Sequence, residues 1–543
     1  MKTLRGWIIF ALLLLALVGT PARPAAGYTT LPGSVTWNTD QTLTTDLLIP
    51  SGVVLTIASS VDVSIQCGDD VAPAPQGDSS KIEIIVLSGG ELHANEVVFK
   101  GTAGTAGCWH GIVYQAGSDG EILNSTIRDA EVALSIDSAS PTISGNSIQH
   151  LAGADQPGDG SMLAGNAIGI QITGNEAAPQ LRNNQIFDLT GGDGADGQMV
   201  NSGGNAYGIT VWNNAAPLVE QNVITNLVGG AGGNGLMGIS GDNGQDCSPG
   251  FESGQPGGMG ETGGSGGTAA GIFVSEASGT LLENEIEDLI GGAGGTGGQG
   301  GMGGQSGAAC AQSVPQMPGI PGVDGGAGGD GGIGGNGGYA LGIWYSAASG
   351  NIEGNSIINL TGGNAGSGGM GGIGGTGGAG GIGGEGDYGP AGMGGAGGIG
   401  GAGGSGGIGG AGGDASGILL VQASPQVDRN STFNGIAGMG GLGGSGGLGG
   451  SGGSGGNGGS SSGMTGAAGG SGGSGGTGGN AGDGGAAGTA NGVALLQVSN
   501  PITVSNHVAA EINGAIGGNS GSGGQGGIGG MGGAGGTGLA LGP

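Results

Sequence analysis

The side chains with the most chemical potential form a spaced series. Asp129, His150, Asp188, Asn226, Asp288 and Asn359 each stand third in an Ile-x-x-Leu phrase or its variant. If successive copies of the phrase stack at about 4.8 Å, carboxylates two copies apart sit roughly 9.5 Å from each other. That is the upper end of the separation an inverting glycosidase uses, one acid protonating the leaving oxygen and the other activating water. Asp129 and Asp188, flanking His150, are the candidate pair. The same residue types also have a structural reading, because Asp and Asn at a corner bond their own backbone and tolerate left-handed geometry. The structural reading is preferred, so no residue is assigned a catalytic role. A calcium-dependent lyase lacks its base, since Arg128, Arg182 and Arg429 are scattered.

Other chemistry is thinner. GxGxxG matches arise by chance in so Gly-rich a chain, and none leads into a helix or a Lys-Ser/Thr pair, which excludes a nucleotide loop. Gly325 to Asp330 begins like a calcium-binding nonapeptide, but Gly332 holds its eighth position and no tandem copy follows. Without CxxC, and with its four His dispersed, the chain has no zinc pattern, and no metal or cofactor is expected. Trp109, Tyr114, Tyr207, Trp212, Trp344 and Tyr345 fall at or beside Gly-Ile segments. Pointing outward they would form a spaced sugar-stacking platform; pointing inward, which is preferred, they are core.

Composition restricts the partners. The chain has 543 residues, 154 of them Gly, and a net charge of -31. Gly at about four times its ordinary share of roughly 7% excludes a uniform side-chain core, while collagen would need Gly at every third position and far more than 19 Pro. Such acidity disfavours nucleic acid and anionic membrane surfaces and points to a neutral or cationic partner. Residues 1–27 carry Lys2 and Arg5, an apolar run from Trp7 to Val18 and small residues to Gly27, the order of a cleaved secretory signal, with an uncleaved anchor as the alternative. No later stretch is apolar enough to span a bilayer, and a secreted or cell-surface location is expected. In an exported chain Cys67, Cys108, Cys247 and Cys310 read as disulfides. Three connectivities are open; Cys67 with Cys108 is the local pairing, and Cys247 and Cys310 lie in successive Gly-rich insertions.

These residues are positioned by a repeat. A phrase beginning Gly-Ile or similar recurs eight times, from Gly111-Ile112-Val113-Tyr114 to Gly492, with an Asn 13 to 15 residues after its leading small residue. Within each copy, short β segments alternate with turn residues, as in Gly208-Ile209-Thr210-Val211, Pro217-Leu218-Val219 and Asn222-Val223-Ile224. One copy of about 22 residues cannot bury its apolar face alone; stacked copies can.

The phrase Gly-Asn-x-Ile, at Gly145-Asn146-Ser147-Ile148 and Gly354-Asn355-Ser356-Ile357, resembles the right-handed parallel β-helix proteins of the pectate-lyase-like superfamily. The resemblance implies an all-β solenoid over about residues 28 to 516. It also implies a turn-Asn column of Asn124, Asn146, Asn184, Asn222, Asn284, Asn355, Asn430 and Asn506. It is nearly silent on activity. Residues 28–110 are expected to be a cap and first coils, and 111–516 the regular coils. Five insertions leave one corner, at about 190–206, 228–270, 290–339, 361–415 and 437–490, and a last tract runs over 517–543 inside a Gly run without a polar cap, as in a fragment of a longer protein. Their strict Gly-Gly-x triplets match the three residues per turn of a polyglycine II-type helix, so ordered arms are expected rather than flexible linkers. The expected function is that of a structural or adhesive surface protein binding glycan or another surface polymer without catalysis. The alternatives are a polysaccharide-degrading enzyme using Asp129 and Asp188, and an ice-binding or tip-adhesin activity of the arms.

Overall fold

Aliphatic residues at fixed positions of the repeat decide the architecture. Ile209, Ile272, Ile343, Ile418 and Val493 align strand to strand in one sheet. Val219, Leu281, Ile352, Val427 and Val504 do so in a second, and Ile224, Ile286 and Ile357 in a third. Through the middle coils these side chains are fully buried, each contributing about 1.5–3 kcal/mol. The result is a right-handed parallel β-helix of three sheets with 11 strands each, drawn from a computed structural model. It describes residues 28–68, 81–156, 163–175, 177–198, 201–246, 252–311, 313–386, 390–462, 464–498 and 502–534; the expected signal segment lies outside them. One coil is Ala206–Trp212, Leu218–Glu220 and Val223–Val228. The stretch expected to hold a cap and irregular coils already contains three coils with all three strands, from Tyr28–Thr30 to Val98–Gly101. Cys67 and Cys108 form a disulfide there, with Cα atoms 4.7 Å apart. Cys310 is also disulfide-bonded, and Cys247 lies outside the described residues.

The second corner of the coil carries a buried amide ladder. Asn184 donates Nδ2–H to the Ile143 carbonyl and to Asn222 Oδ1, which also accepts the Asn184 backbone N–H. The pattern repeats through Asn146, Asn184, Asn222, Asn284, Asn355 and Asn430, all at most 1% exposed. Asn124 and Asn506 are displaced from this column by one residue. Ser125 takes the ladder position in its coil, its Oγ accepting the Val97 N–H and its own N–H going to Asn146 Oδ1, and His507 follows Asn506 in the last coil. Asn124 and Asn506 instead occupy the preceding left-handed position (φ 46° and 52°), which also favours Asn.

The Gly-rich arms leave the third sheet and re-enter the first. Each has an outgoing and a returning leg, and each Gly-Gly-x triplet uses its directions separately. The first Gly donates to the x carbonyl of the next outgoing leg, as Gly294 does to Asn364 O at 2.8 Å. The second Gly bonds across to returning legs: Gly295 donates to Gly264 O at 2.8 Å, and Gly335 donates back to Gly295 O at 2.7 Å. The x side chain faces outward. The legs therefore form a two-layer slab, outgoing legs in one layer and returning legs in the other, with the period of three that a polyglycine II-type helix gives. The second Gly is sterically required, because a Cβ on Gly335 would lie 1.8 Å from Gly264 O. Asx residues at x lock the register between arms: Asp193, Asn234 and Asp330 each accept the N–H of the facing x residue, Ala231, Thr296 and Ser405, at 2.7–2.8 Å. A short first arm between Ala152 and Ala167 joins the slab through Gly153 and Gly165; it has too few Gly pairs to stand out in the sequence.

Candidate functional site

The carboxylate column is a structural corner. Asp129, His150, Asp188, Asn226, Asp288, Asn359 and Asn434 all adopt left-handed backbone, with φ between 54° and 66°, at a kink in the third-sheet strands. Asp129 is fully buried; its Oδ1 lies 2.7 Å from His150 Nδ1 and its Oδ2 accepts the Gly101 N–H at 3.2 Å. Asp188 accepts from Asn226 at 3.3 Å, Asp288 from Asn359 at 2.9 Å, and Asn359 from Asn434 at 2.7 Å. Carboxylates thus alternate with amide donors, which relieves like-charge repulsion between neighbouring coils. Asp129, His150 and Asp188 are brought into one column; Asp129 and His150 pair with each other, while the half-buried Asp188 accepts from Asn226 alone among the described residues.

The aromatic residues divide. Trp109, Tyr114 and Tyr345 point inward and are fully buried in the core; Trp109 Nε1–H donates to Arg128 O at 2.9 Å, and Tyr345 O–H to Gly279 O at 3.1 Å. Tyr207, Trp212 and Trp344 lie on the outer face of the first sheet, in one cluster with Phe273, Leu341 and Leu419. The cause is local. At Gly208 the inward–outward alternation slips by one residue, so that Tyr207 faces out while Ala206 and Ile209 face in; a Cβ at Gly208 would press within 2.6 Å of the core methyl of Ile224. Register then stacks Phe273 on Trp344 and Trp344 on Leu419 in successive coils. Phe273 is the hub: its ring centroid is 4.2 Å from Trp344, 4.8 Å from Trp212, edge to face, and 5.9 Å from Tyr207, stacked. Burial pushes the Tyr207 phenol up to about 12.

Beyond this cluster, where the returning legs enter the sheet, a pocket of about 260 Å³ opens. Trp344, Leu341 and Leu419 supply an apolar wall; Asp414, Ser416, Thr489 and Asn491 supply polar groups. Asp414 Oδ1 is fixed by the Thr489 N–H and hydroxyl, at 2.6 and 2.9 Å. The buried indole N–H of Trp344 has no acceptor among the described residues. An aromatic wall with a few oriented polar groups is the composition of a small-ligand or sugar subsite.

An ionic cluster that sequence spacing did not reveal sits in the early coils. Lys81 Nζ lies 3.3 Å from Glu131 Oε2, His110 lies 3.7 Å from Glu83 and 3.9 Å from Glu131, and Asp46 Oδ1 accepts the Glu83 N–H at 2.9 Å. Burial alone would raise the Glu131 pKa, but the His110 hydrogen bond and the Lys81 charge outweigh it and hold the carboxyl below its ordinary value. These groups are separated by up to 85 positions, and only coil stacking brings them together. Among the described residues no cluster of His, Cys and carboxylates is suited to hold a metal ion, and no helix is long and apolar enough to cross a membrane.

No protein-family model matches the chain, and no curated protein does. Among solved structures, the chain is similar to the periplasmic alginate epimerase AlgG at 8% identity, covering 90% of this chain and 79% of that one with a TM-score of 0.30. It is similar to the catalytic domain of a GH87 alpha-1,3-glucanase in complex with nigerose at 12% identity (76% and 66% covered, TM-score 0.23). It is also similar to a tailspike protein mutant of E. coli bacteriophage HK620 in complex with pentasaccharide at 10% identity (75% and 60% covered, TM-score 0.21).

Proposed function

We propose that this is an exported, surface-exposed β-helix that binds a neutral or cationic glycan without cleaving it. The observation that carries the reading is the outward aromatic cluster of Tyr207, Trp212, Phe273 and Trp344 with its adjoining pocket. Tyr207 and Phe273 are buried beneath this outer cluster, which leaves Trp212 and Trp344 half-buried at its surface; a sugar ring can stack on these two while its hydroxyls reach Asp414 and Asn491 in the adjoining pocket. Spread over successive coils at about 4.8 Å, such a face suits a polymer lying along the rod better than a single small molecule. The net charge of -31 disfavours polyanionic glycans. The Cys67–Cys108 disulfide fits an oxidising compartment. The burial of Asp129 and its pairing with His150 at a structural corner support binding over cleavage.

The test is binding of the purified chain to soluble neutral, cationic and anionic polysaccharides, with reducing and unsaturated ends assayed in the same samples. Binding to a neutral or cationic polymer, weakened at least about tenfold by Trp344→Ala or Trp212→Ala and unchanged in Asp129→Asn/Asp188→Asn, is expected. Saturable release of ends that disappears in the double Asp variant would make the protein a glycosidase instead. Binding indifferent to both Trp substitutions would remove the aromatic face as the site.

A further inference from the structure

On the outgoing layer of the glycine slab, charge sits on the first legs and at a tip: Asp193, Asp196 and Asp246 stand at x on legs 191–198 and 229–246. Residues at x on the four longest outgoing legs, 291–309, 362–386, 438–460 and 514–534, include a single carboxylate, Glu385, near a tip. The returning layer carries Asp324, Asp330, Asp414 and Asp483 at its x positions. The outgoing face is also apolar: Met302, Met370, Ile373, Leu442, Leu448 and Ile528 are 45–82% exposed on it. They are not scattered. Gly300, Gly303, Gly371 and Gly374 pair leg to leg, and this aligns Met302, Ile373 and Leu448 in one row crossing the legs and places Met370 in the next. Between the rows runs a furrow of about 530 Å³ floored by Gly.

We propose that the outgoing face is a homodimer interface, with a second copy of this chain as its occupant. Charge argues for it. Two copies of a molecule with net charge -31 repel over most of their surfaces, and the patch of the four later outgoing legs, with one carboxylate near a tip, is where they can meet with least repulsion. Area argues for it as well. Legs of about 20–25 residues rising about 3.1 Å each, laid side by side at about 4.8 Å, give the four legs roughly 1,200 Å² per copy. A stable interface needs about 800 Å² per partner. Shape is compatible: a two-fold axis normal to the face lets the Met, Ile and Leu ridges of each copy enter the furrow of the other, an isologous contact that closes. The interface lies on the slab and is independent of glycan binding on the rod.

Sedimentation velocity of the full chain over about 1–100 µM tests this, beside Met370→Asp/Ile373→Asp/Leu448→Asp on the outgoing face and Ile399→Asp/Ile408→Asp on the returning face. Asp already stands at x positions of other legs, so both variants should fold, which unfolding midpoints equal to wild type would verify. The expected result is a dimer with a dissociation constant of about 10 µM or tighter. The outgoing-face variant should dimerise at least about 100-fold more weakly, and the returning-face variant like wild type. A wild-type monomer at about 100 µM overturns the proposal, as does a dimer that survives the outgoing-face substitutions or is lost with the returning-face ones. Monomers that adsorb to a flat neutral polymer through the same residues would assign the face to that surface instead.

Discussion

The amide of Asn222 donates to the Leu181 and Glu220 carbonyls and to Asn284 Oδ1, while its own oxygen accepts both the backbone and side-chain N–H of Asn184. Asn222→Ala strands those buried donors and acceptors at about 1–3 kcal/mol for each group left without a partner. It should lower stability by several kcal/mol, read as a clear drop in the denaturant midpoint. Asn124→Ala, in an exposed residue bonded only side chain to side chain with Asn95, should cost less than about 1 kcal/mol. Equal effects would mean that the ladder does not carry the corner. Protonation supplies a second residue-level expectation. The Tyr207 phenol is raised from 10.0 to about 12 by burial, so the folded state resists its ionisation while the unfolded chain does not. Its contribution is complete below pH 10.0 and is lost as pH rises through about 12. Burial also raises Tyr114 and Tyr345, in the same direction. Thermal midpoints should therefore fall steadily above about pH 10, together with phenolate absorbance; a flat midpoint across that range would contradict the burial of these rings.

Among the arms, tolerance to substitution should follow the length of the preceding arm. Gly335 sits where a Cβ would meet Gly264 O at 1.8 Å, so Gly335→Ala must push two legs apart and break bonds such as Gly335 N–H to Gly295 O. Ile239 and Leu236 occupy the same inner slot, yet are 84% and 53% exposed, because the arm before theirs is short. Hydrogen exchange should show loss of protection along 291–304 and 326–338 for Gly335→Ala, and no change for Ile239→Ala. Uniform tolerance at both positions would mean that the slab is not packed as described. This rule was open to sequence reading, since non-Gly residues in an inner slot mark where a neighbour ends. The solenoid itself was legible for the same reason: a repeated phrase of fixed spacing has few ways to bury its Ile and Val. What escaped was phase and distance. Asn124 and Asn506 stand one residue off the ladder, and residue type alone does not separate the two adjacent corner positions because both favour Asn. The split between Tyr207 and Tyr345 turns on a slip at Gly208 and its equivalents, which reverses the facing that alternation gives. Phe273, the hub of the outer cluster, lies in the same kind of strand as its neighbours and had no motif of its own. The cluster of Lys81, Glu83, His110 and Glu131 exists only once separate coils are stacked.

At the scale of the molecule, rod and slab share backbone but not the same source of cohesion. Thr361 aligns through Ile290, Val228, Thr190 and Ala152 with Ala130, which bonds to Ala152. Ser416 aligns through Leu341, Ala270, Tyr207 and Ile168 with Val132. In the armless coil Ala130 reaches Val132 through Glu131 alone. Deleting 362–414 would join Thr361 to Ala415, and so to Ser416, by the same short path, and the coil needs no added linker to close. The rod should fold, because its core columns are untouched. The slab should not survive intact. Gly438, Gly441 and Gly444 would lose their acceptors at Gly413, Gly410 and Gly407, and Gly294, Gly297 and Gly300 theirs at Asn364, Ser367 and Met370. The flanking arms would face each other across a gap of about 9.6 Å, twice the coil spacing and too wide for a hydrogen bond. The deletion variant should keep the β-sheet circular dichroism of the rod and exchange-protected amides in its three sheets, while protection in the arms on both sides of the gap collapses. Loss of protection in the rod as well would show that the arms are part of what holds the coils together, and that the two bodies fold as one.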